Sequence, residues 1–368
     1  MKKTGKRLCS KGKACGATCI AKSKICRKEL GVVGGSLASV RNNIKMQSGQ
    51  PEGSRVGVAP PPVPGGKGKE KIEFSGKDLM VGGKVYKPGK TLPGSTSPTL
   101  YTDENGKGKW VVKEGGAKGQ NNVEKASNDV YRILGKTLGV GAVDSNLVDG
   151  KLVNRFVEGG RTIDSLSKDE RSKLDVNGQM RRSFIGDALV GNWDFMGALR
   201  GDNVMVDSRG KVTRIDAGGT FNYRAMGEKK PFGPIPTDVW SLRERQGKEI
   251  WAGAKDSDYR HLWTNQVNAL RENARALRQS VESSGMDPKA SRAFTQRMAA
   301  LVMAGNLIAT TNLGGKTVQQ LADEGKISWK QVDAAMKNAF ENSSGSPSSK
   351  GWGKALRNEI VSELQGLL

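Results

Sequence analysis

Histidine is almost absent: among 368 residues there is one, His261. A Ser-His-Asp hydrolase would have to place that residue in its triad, so the composition argues against hydrolytic chemistry of that kind. Aromatic residues make up only 5% and hydrophobic residues 36%, low for a globular enzyme, and 49 glycines account for part of the deficit. No apolar run approaches the roughly 20 residues that a helical membrane span requires. The N-terminus is basic but lacks the apolar stretch of a secretory signal, so the chain is expected to be soluble and made in the cytoplasm.

Cysteine is missing from everything beyond residue 26. All four, Cys9, Cys15, Cys19 and Cys26, lie in CSKGKACGATCIAKSKIC. That clustering marks a local module rather than scattered core thiols. The spacing C-x5-C-x3-C-x6-C contains no CxxC knuckle and matches common zinc sites weakly. Three outcomes stay open: one zinc ion, favoured in a reducing cytosol, two disulfides, favoured in an assembled particle or outside the cell, or free thiols.

Negative charge is also scarce. Lys and Arg number 60 against 37 Asp and Glu, a formal net charge of +23. Residues 1–30 carry ten of the basic residues against Glu29 alone. Such a segment attracts nucleic acid, anionic membrane or an acidic partner, or it is a solvated tail that aids solubility. Residues 31–71 concentrate Gly, Pro and Ser without a sustained apolar period and read as a flexible linker.

What is present begins near residue 72. IEFSGKDLMVGGKVYKPGK shows short strand-like runs around Gly-Gly. LPGSTSPTLYTD, the turn ENGKGK and KWVVKEG then read as a β-hairpin preceded by a loop with Gly94, Ser95, Thr96 and Ser97. Lys113 ends the second strand. NNVEKASNDVYRILGKTLGV is helical, with Val123, Ala126, Val130, Ile133 and Leu134 on one stripe and Glu124 beside it near the start. GAVDSNLVDGKLVNRFVEGG reads as strand, Asp-Gly turn and strand, leading to a glycine-rich connection around Glu158 and Gly159. A helix over about 178–190 follows, burying Met180, Phe184, Ala188 and Leu189, with Arg181 and Asp187 off that face.

The chain is organised around GNWDFMGALRGDNVMVDSRGKVTRIDAGGTF, residues 191–221. VMV, the polar turn DSRG and KVTRID make a hairpin with Asn203 at one end and Asp216 at the other, while Asn192 and Asp194 precede it. One carboxylate to orient an acceptor hydroxyl, with an amide and a second carboxylate to hold magnesium, is the set that phosphoryl transfer requires. Taken singly, each of these residues is equally an ordinary turn-former.

GSTS, WVVK, Glu124, NRFVEGG, GNWD, DNVMV and RIDAGG in this order resemble the protein-kinase-like superfamily over roughly residues 76–285. The resemblance is to atypical kinases: the HipA-type toxin kinases, the phosphatidylinositol-kinase-like group and the CotH spore-coat kinases. It is closest to kinase-like proteins of phages and some bacteria, which combine GGSTG, YVVK, NWDVVG…DN, RIDNGG and a downstream FRAQG. YRAMGEKKPFG and DVWSLRE stand here in place of the last part.

The resemblance implies an α+β, two-lobed fold: a small β-rich N-lobe with one key helix over 72–160 and a mostly helical C-lobe over 161–342. The Cys module (1–30) and linker (31–71) precede it, and a linker with an amphipathic helix (343–368) follows. It implies ATP and Mg as cofactors. Lys113 would grip phosphates, oriented by Glu124, and Asp194 would be the catalytic base. Asn203 and Asp216 would hold Mg, the Gly94–Ser95–Thr96 loop would cover phosphates, and Glu158 would lie near the ribose.

The pattern also departs from the family. HRD is absent, with Trp193 before Asp194; Asp194 and Asn203 are nine positions apart; DFG becomes DAG; and GxGxxG is missing. Asp202 beside Asn203 is a further candidate for a metal or a bracing role. Two functions follow as expectations. One is an ATP/Mg-dependent phosphotransferase acting on a protein hydroxyl, with nucleotidylation as a variant. The other is a non-catalytic kinase-fold component of a phage particle (a virion protein), holding DNA or phage structural proteins through its basic N-terminus.

Beyond the site, Leu262, Val267, Leu270, Ala274, Leu277 and Val281 form a helical stripe, with Arg271, Arg275 and Arg278 on the solvated side. Phe294, Met298, Leu301, Met303 and Leu307 read as core. Leu356, Ile360, Leu364 and Leu367 form an amphipathic C-terminal helix able to dock on the body or on a partner.

Overall fold

The computed structural model describes residues 70–92, 96–195, 202–344 and 351–368, together with the backbone of two short N-terminal strands. The chain divides into two compact units, Met1–Val56 and Gly57–Leu368. In the first, β1 (Lys13–Cys15) pairs antiparallel with β2 (Thr18–Ile20), which puts Cys15 and Cys19 on neighbouring strands. Cys9, Cys26 and residues 31–69 of the linker lie outside the described residues, and with them the zinc, disulfide and free-thiol alternatives.

The second unit is a mixed α+β body, β-rich at its N-terminal end and helical beyond. Its sheet runs through β3 (Ile72–Ser75), β4 (Asp78–Val81), β5 (Lys84–Thr91), β6 (Thr99–Thr102) and β7 (Lys109–Lys113). After helix α1 (Gln120–Leu138) and the short β8 (Gly141–Ala142), β10 (Lys151–Arg155) joins β7 and β9 (Ser145–Val148) closes the edge. All seven strands pair antiparallel, in the order β3-β4-β5-β6-β7-β10-β9. The turns follow their sequences. Gly82 and Gly83 both take positive φ, as do Asp149 and Gly150, the backbone that two-residue hairpin turns demand.

Side-chain alternation along β7 gives the sheet two distinct faces. Trp110 and Val112 join a small apolar cluster with Leu79, Val81, Tyr86, Tyr101 and Val153. Val111 and Lys113 lie on the other face. Helix α1 buries Val123, Ala126, Val130, Leu134 and Leu138, with Tyr131 taking a place on the stripe and Ile133 only half buried. Gly135 lets α1 close on the next segment: a Cβ there would stand 2.4 Å from the Val140 carbonyl oxygen.

A second sheet holds the hairpin of β12 (Val204–Val206) and β13 (Val212–Arg214), with β11 (Arg161–Thr162) on one side and β8 parallel on the other. The expected helix over 178–190 is two helices, following α2 (Lys168–Lys173): α3 (Val176–Arg182) and α4 (Phe184–Val190), broken at Ser183. Asp187 is not off the buried face as the pattern suggested; it is fully buried, for the reason given below.

Further helices complete the core: α5 (Asp238–Glu244), α6 (Lys248–Ala252), α7 (Asp256–His261), α8 (Val267–Glu282), α9 (Pro288–Thr310), α10 (Val318–Asp323), α11 (Trp329–Ser344) and α12 (Trp352–Gln365). Leu262, Val267, Leu270, Leu277 and Val281 are buried, while Arg271, Arg275 and Arg278 are exposed, as their spacing predicts. The C-terminal helix docks on the body, packing on α11 and α9 and burying Trp352, Leu356, Ile360 and Leu364. Leu356 is 0% exposed. Its truncation, Leu356→Ala, is expected to cost about 2–5 kcal/mol, read as a lowered denaturant midpoint with an unchanged m-value.

Candidate functional site

The alternation that sends Trp110 into the small core turns Lys113 to the opposite face, where α1 crosses. Lys113 is 5% exposed and Glu124, one turn into α1, 3%. Lys113 Nζ lies 2.7 Å from Glu124 Oε1 and 3.1 Å from Asp216 Oδ1. Burial by itself would lower the pKa of this ammonium, but the carboxylates of Asp216 and Glu124 outweigh it and hold it above the ordinary value. Burial pushes the Glu124 carboxyl up to about 7, opposed by Lys113 and reinforced by Asp216.

Asp216 reaches this pair because of the hairpin. Val204 pairs with Arg214, and Ile215 N–H donates to the Asn203 carbonyl at 3.1 Å. Asn203 and Asp216 therefore stand at the same end of the β12–β13 ladder. The Asp207 carboxylate closes the turn by accepting from the N–H groups of Arg209 and Lys211, both at 2.9 Å. Asn203 Nδ2 donates to the Asp194 carbonyl at 2.7 Å, and Asp194 N–H donates to Asn192 Oδ1 at 3.2 Å. The loop backbone is thus fixed on both sides of Asp194.

The two glycines after Asp216 allow close approach. A Cβ at Gly219 would lie 2.8 Å from the Asp194 Cβ, and one at Gly218 would stand 3.2 Å from Gln120 Nε2 and 3.3 Å from Glu124 Oε2. Gln120 opens α1 and donates to the carbonyls of Gly218 (3.3 Å) and Ala225 (3.0 Å), tying the helix that carries Glu124 to these glycines.

Beneath the site runs a buried polar network that the sequence reading did not identify. Arg214, 1% exposed, donates from Nε to Asp187 Oδ1 at 2.8 Å and pairs with its second oxygen. Tyr131 OH donates to Asp187 Oδ1 at 2.9 Å, and Asn192 Nδ2 donates to Tyr131 OH at 2.9 Å. The guanidinium also lies 4.6 Å from the Tyr131 ring centroid. This chain of contacts runs from the strand before Asp216, through α4 and α1, to the residue two before Asp194. A signal was available: in VTR, period two puts Arg214 in phase with buried Val212.

The other predicted residues fall as follows. Thr96 is half buried in the β5–β6 connection, which Leu92 N–H closes onto the Pro98 carbonyl at 2.7 Å. Gly94 and Ser95 lie outside the described residues, as does most of the stretch between Asp194 and Asn203. Asp202 is exposed. Glu158 lines a cavity of about 400 Å3 with Lys84, Tyr86, Lys109, Trp110, Arg155 and Phe156. Among the described residues no group of three His, Cys, Asp or Glu could by itself hold a metal ion, and no helix is long and apolar enough to cross a membrane.

No protein-family model matches this chain, and no curated protein is similar to it in sequence. Several solved kinase structures are similar at low identity. A proinflammatory kinase from Helicobacter pylori, CtkA, is 10% identical, with a TM-score of 0.37 over 59% of this chain and 91% of that one. LicA in complex with AMP is 14% identical, with a TM-score of 0.27 over 60% and 93%. The choline kinase LicA from Streptococcus pneumoniae is 14% identical, with a TM-score of 0.24 over 75% and 92%. At that level of superposition the functional reading rests on the chain's own geometry.

The raised pKa of Glu124 has a stability signature. A folded-state carboxyl that binds its proton more tightly than the unfolded chain loses stability as pH rises through the interval between the two values. Relative to Glu124→Gln, the wild-type protein is expected to lose stability between pH 4.5 and about 7. Denaturant unfolding of both proteins across that window measures it, and parallel curves would contradict the assignment.

Proposed function

We propose that this chain is an ATP- and magnesium-dependent phosphotransferase with the two-lobed architecture of an atypical kinase, its acceptor a protein hydroxyl. One observation carries the reading: the buried Lys113 ammonium is held jointly by Glu124 from α1 and Asp216 from the end of a hairpin. A strand lysine fixed by a helix glutamate next to a metal-binding aspartate is the arrangement that places nucleotide phosphates for transfer.

The residues fit a magnesium ion. Magnesium takes oxygen ligands. The amide nitrogen of Asn203 is committed to the Asp194 carbonyl, which leaves its oxygen as the atom available to a cation. The Asp216 side chain is 45% exposed, so its carboxylate is accessible from solvent while still touching Lys113. Asn203 and Asp216 would hold the ion, which when bound neutralises phosphate charge.

The chain's own groups do the rest. Lys113 binds the α- and β-phosphates, and Glu124 keeps its ammonium from swinging away. Asp194, on a loop braced by Asn192 and Asn203, orients the acceptor hydroxyl and accepts its proton as the oxygen attacks the γ-phosphorus. The bond from that phosphorus to the β–γ bridging oxygen breaks, and ADP leaves. The β5–β6 connection, from Gly94 to Thr96, covers the phosphates.

Asp216→Ala is expected to abolish transfer of label from γ-labelled ATP while the far-UV spectrum stays that of the wild type. Retained transfer would remove Asp216 from the site. Label arriving from the α-phosphate instead would identify nucleotidylation. A wild type that neither binds nor turns over ATP, yet binds DNA with steep salt dependence, would identify the non-catalytic component that the basic N-terminus suggests.

Gly219→Ala tests the approach of the two loops. The added methyl must displace the Asp194 Cβ, so turnover should fall about 100-fold with ATP binding retained. Single-turnover kinetics beside a binding isotherm separate the two effects.

A further inference from the structure

The segment after the two glycines folds into a tight return. Phe221, with φ 49, is buried against Phe232 and Phe294 at ring separations of 5.2 and 5.7 Å. Such a backbone is rare for a bulky residue and persists only where packing enforces it. From there the chain turns over Arg224 to Glu228, with Arg224 N–H donating to the Glu228 carbonyl at 2.7 Å and Tyr223 bridged to Lys229. Lys230 N–H donates to the Asn222 carbonyl at 3.0 Å, closing the return. Adjacent lysines then take opposite fates. Lys229 is exposed, its Nζ 3.5 Å from the Tyr223 ring centroid, while Lys230 points inward and is 5% exposed.

Inside, Lys230 Nζ donates to the carbonyl of Gly219 at 2.7 Å and to that of Gly191, and sits 4.8 Å from the Trp193 ring centroid. Trp193 is itself anchored: its Nε1 donates to Asp238 Oδ1 at 2.6 Å, and Asp238 pairs with Arg297. Arg297 also caps the carbonyls of Ala188 and Leu189 at the end of α4. Gly191 lies three residues before Asp194 and Gly219 three after Asp216. A single nitrogen therefore joins the two loops whose spacing matters most.

We propose that Lys230 is a positioning residue of the transfer reaction: its ammonium ties the loop of Asp194 to the glycines after Asp216, setting the distance between the base and the metal-holding carboxylate. The proposal rests on the phosphotransfer reading above. Burial pulls Lys230 down to about 7; Asp238 and Asp194 pull it back up, while Arg297 and Arg224 add to the lowering. Burial of this ammonium costs the folded state, and an apolar side chain of similar length would remove that cost but leave the Gly191 and Gly219 carbonyls without this donor. Groups that burden a fold in this way are retained where function needs them.

The test uses the full chain as wild type, Lys230→Met and Lys230→Arg, with magnesium and γ-labelled ATP. Lys230→Met should lower kcat about 100-fold with the KM for ATP held within about twofold, the split expected when alignment rather than binding is lost. Lys230→Arg, which keeps the charge and the donors, should recover a measurable part of the rate. Thermal melting separates alignment from folding. The lowered pKa means that the unfolded chain binds this proton more tightly, so wild type should gain stability relative to Lys230→Met as pH rises from about 7 toward 10.5. Below pH 7, where folded and unfolded chains bind this proton alike, that pH-dependent gain is absent.

An active wild type with Lys230→Met equally active would overturn this proposal and leave the phosphotransfer reading standing. So would a variant whose lost rate is matched by a large fall in melting temperature, since the role would then be structural. A wild type inert toward ATP removes both.

Discussion

The site depends on a buried lysine that two carboxylates keep charged. Taking an ammonium out of water is costly unless partners replace its hydration, and Lys113 has Glu124 on one side and Asp216 on the other. Each partner arrives on a different element: the lysine on a strand, the glutamate on a helix, the aspartate at a hairpin end. Satisfying one charge therefore sets the relative position of three pieces of chain. The arrangement also concentrates electrostatic tension, since Glu124 is pushed up to about 7 by the same burial that isolates the pair.

Around that centre, position is enforced by polar groups that the core encloses rather than by the core itself. The Arg214–Asp187 pair joins the strand leading to Asp216 to α4, and Tyr131 and Asn192 extend the contact to the loop of Asp194. Lys230 and Arg297 do the same from the opposite side, through carbonyl oxygens at Gly191, Gly219, Ala188 and Leu189. Apolar packing tolerates small slips, whereas a buried hydrogen-bonded ion does not, because a displaced partner leaves a charge unsatisfied. The phosphoryl transfer proposed above, sensitive to ångström displacements, would be well served by such a scaffold.

Parts of this were legible in the sequence for local reasons. The β12–β13 hairpin follows from two short apolar runs separated by DSRG, and Asp207 and Gly210 supply the turn. The stripe of α8 follows from three- and four-residue spacing, as does the solvated position of its arginines. Other features were not legible. Asp187, Arg214, Lys230 and Arg297 are charged residues whose burial contradicts their type, and only partners distant in sequence make it affordable. Asp187 and Arg214 are 27 positions apart, and Arg297 reaches Asp238 across 59. Glu158 was placed only by the order of segments, and the fold sets it in a cavity beside Trp110 and Arg155.

The sequence by itself determined which residue types stand at the ends of which elements. Periodicity and turn chemistry are local and survive without a partner, so Lys113 at a strand end, Glu124 early in a helix, and Asn203 and Asp216 flanking a hairpin could be read directly. Only the tertiary structure decided how far apart those ends lie and what holds them there. The distance between a strand lysine and a hairpin aspartate is set by long-range contacts, Gly219 against Asp194, Gln120 on Gly218 and Lys230 across two loops. No local pattern encodes such contacts, because each is a relation between side chains that meet only after the chain has folded.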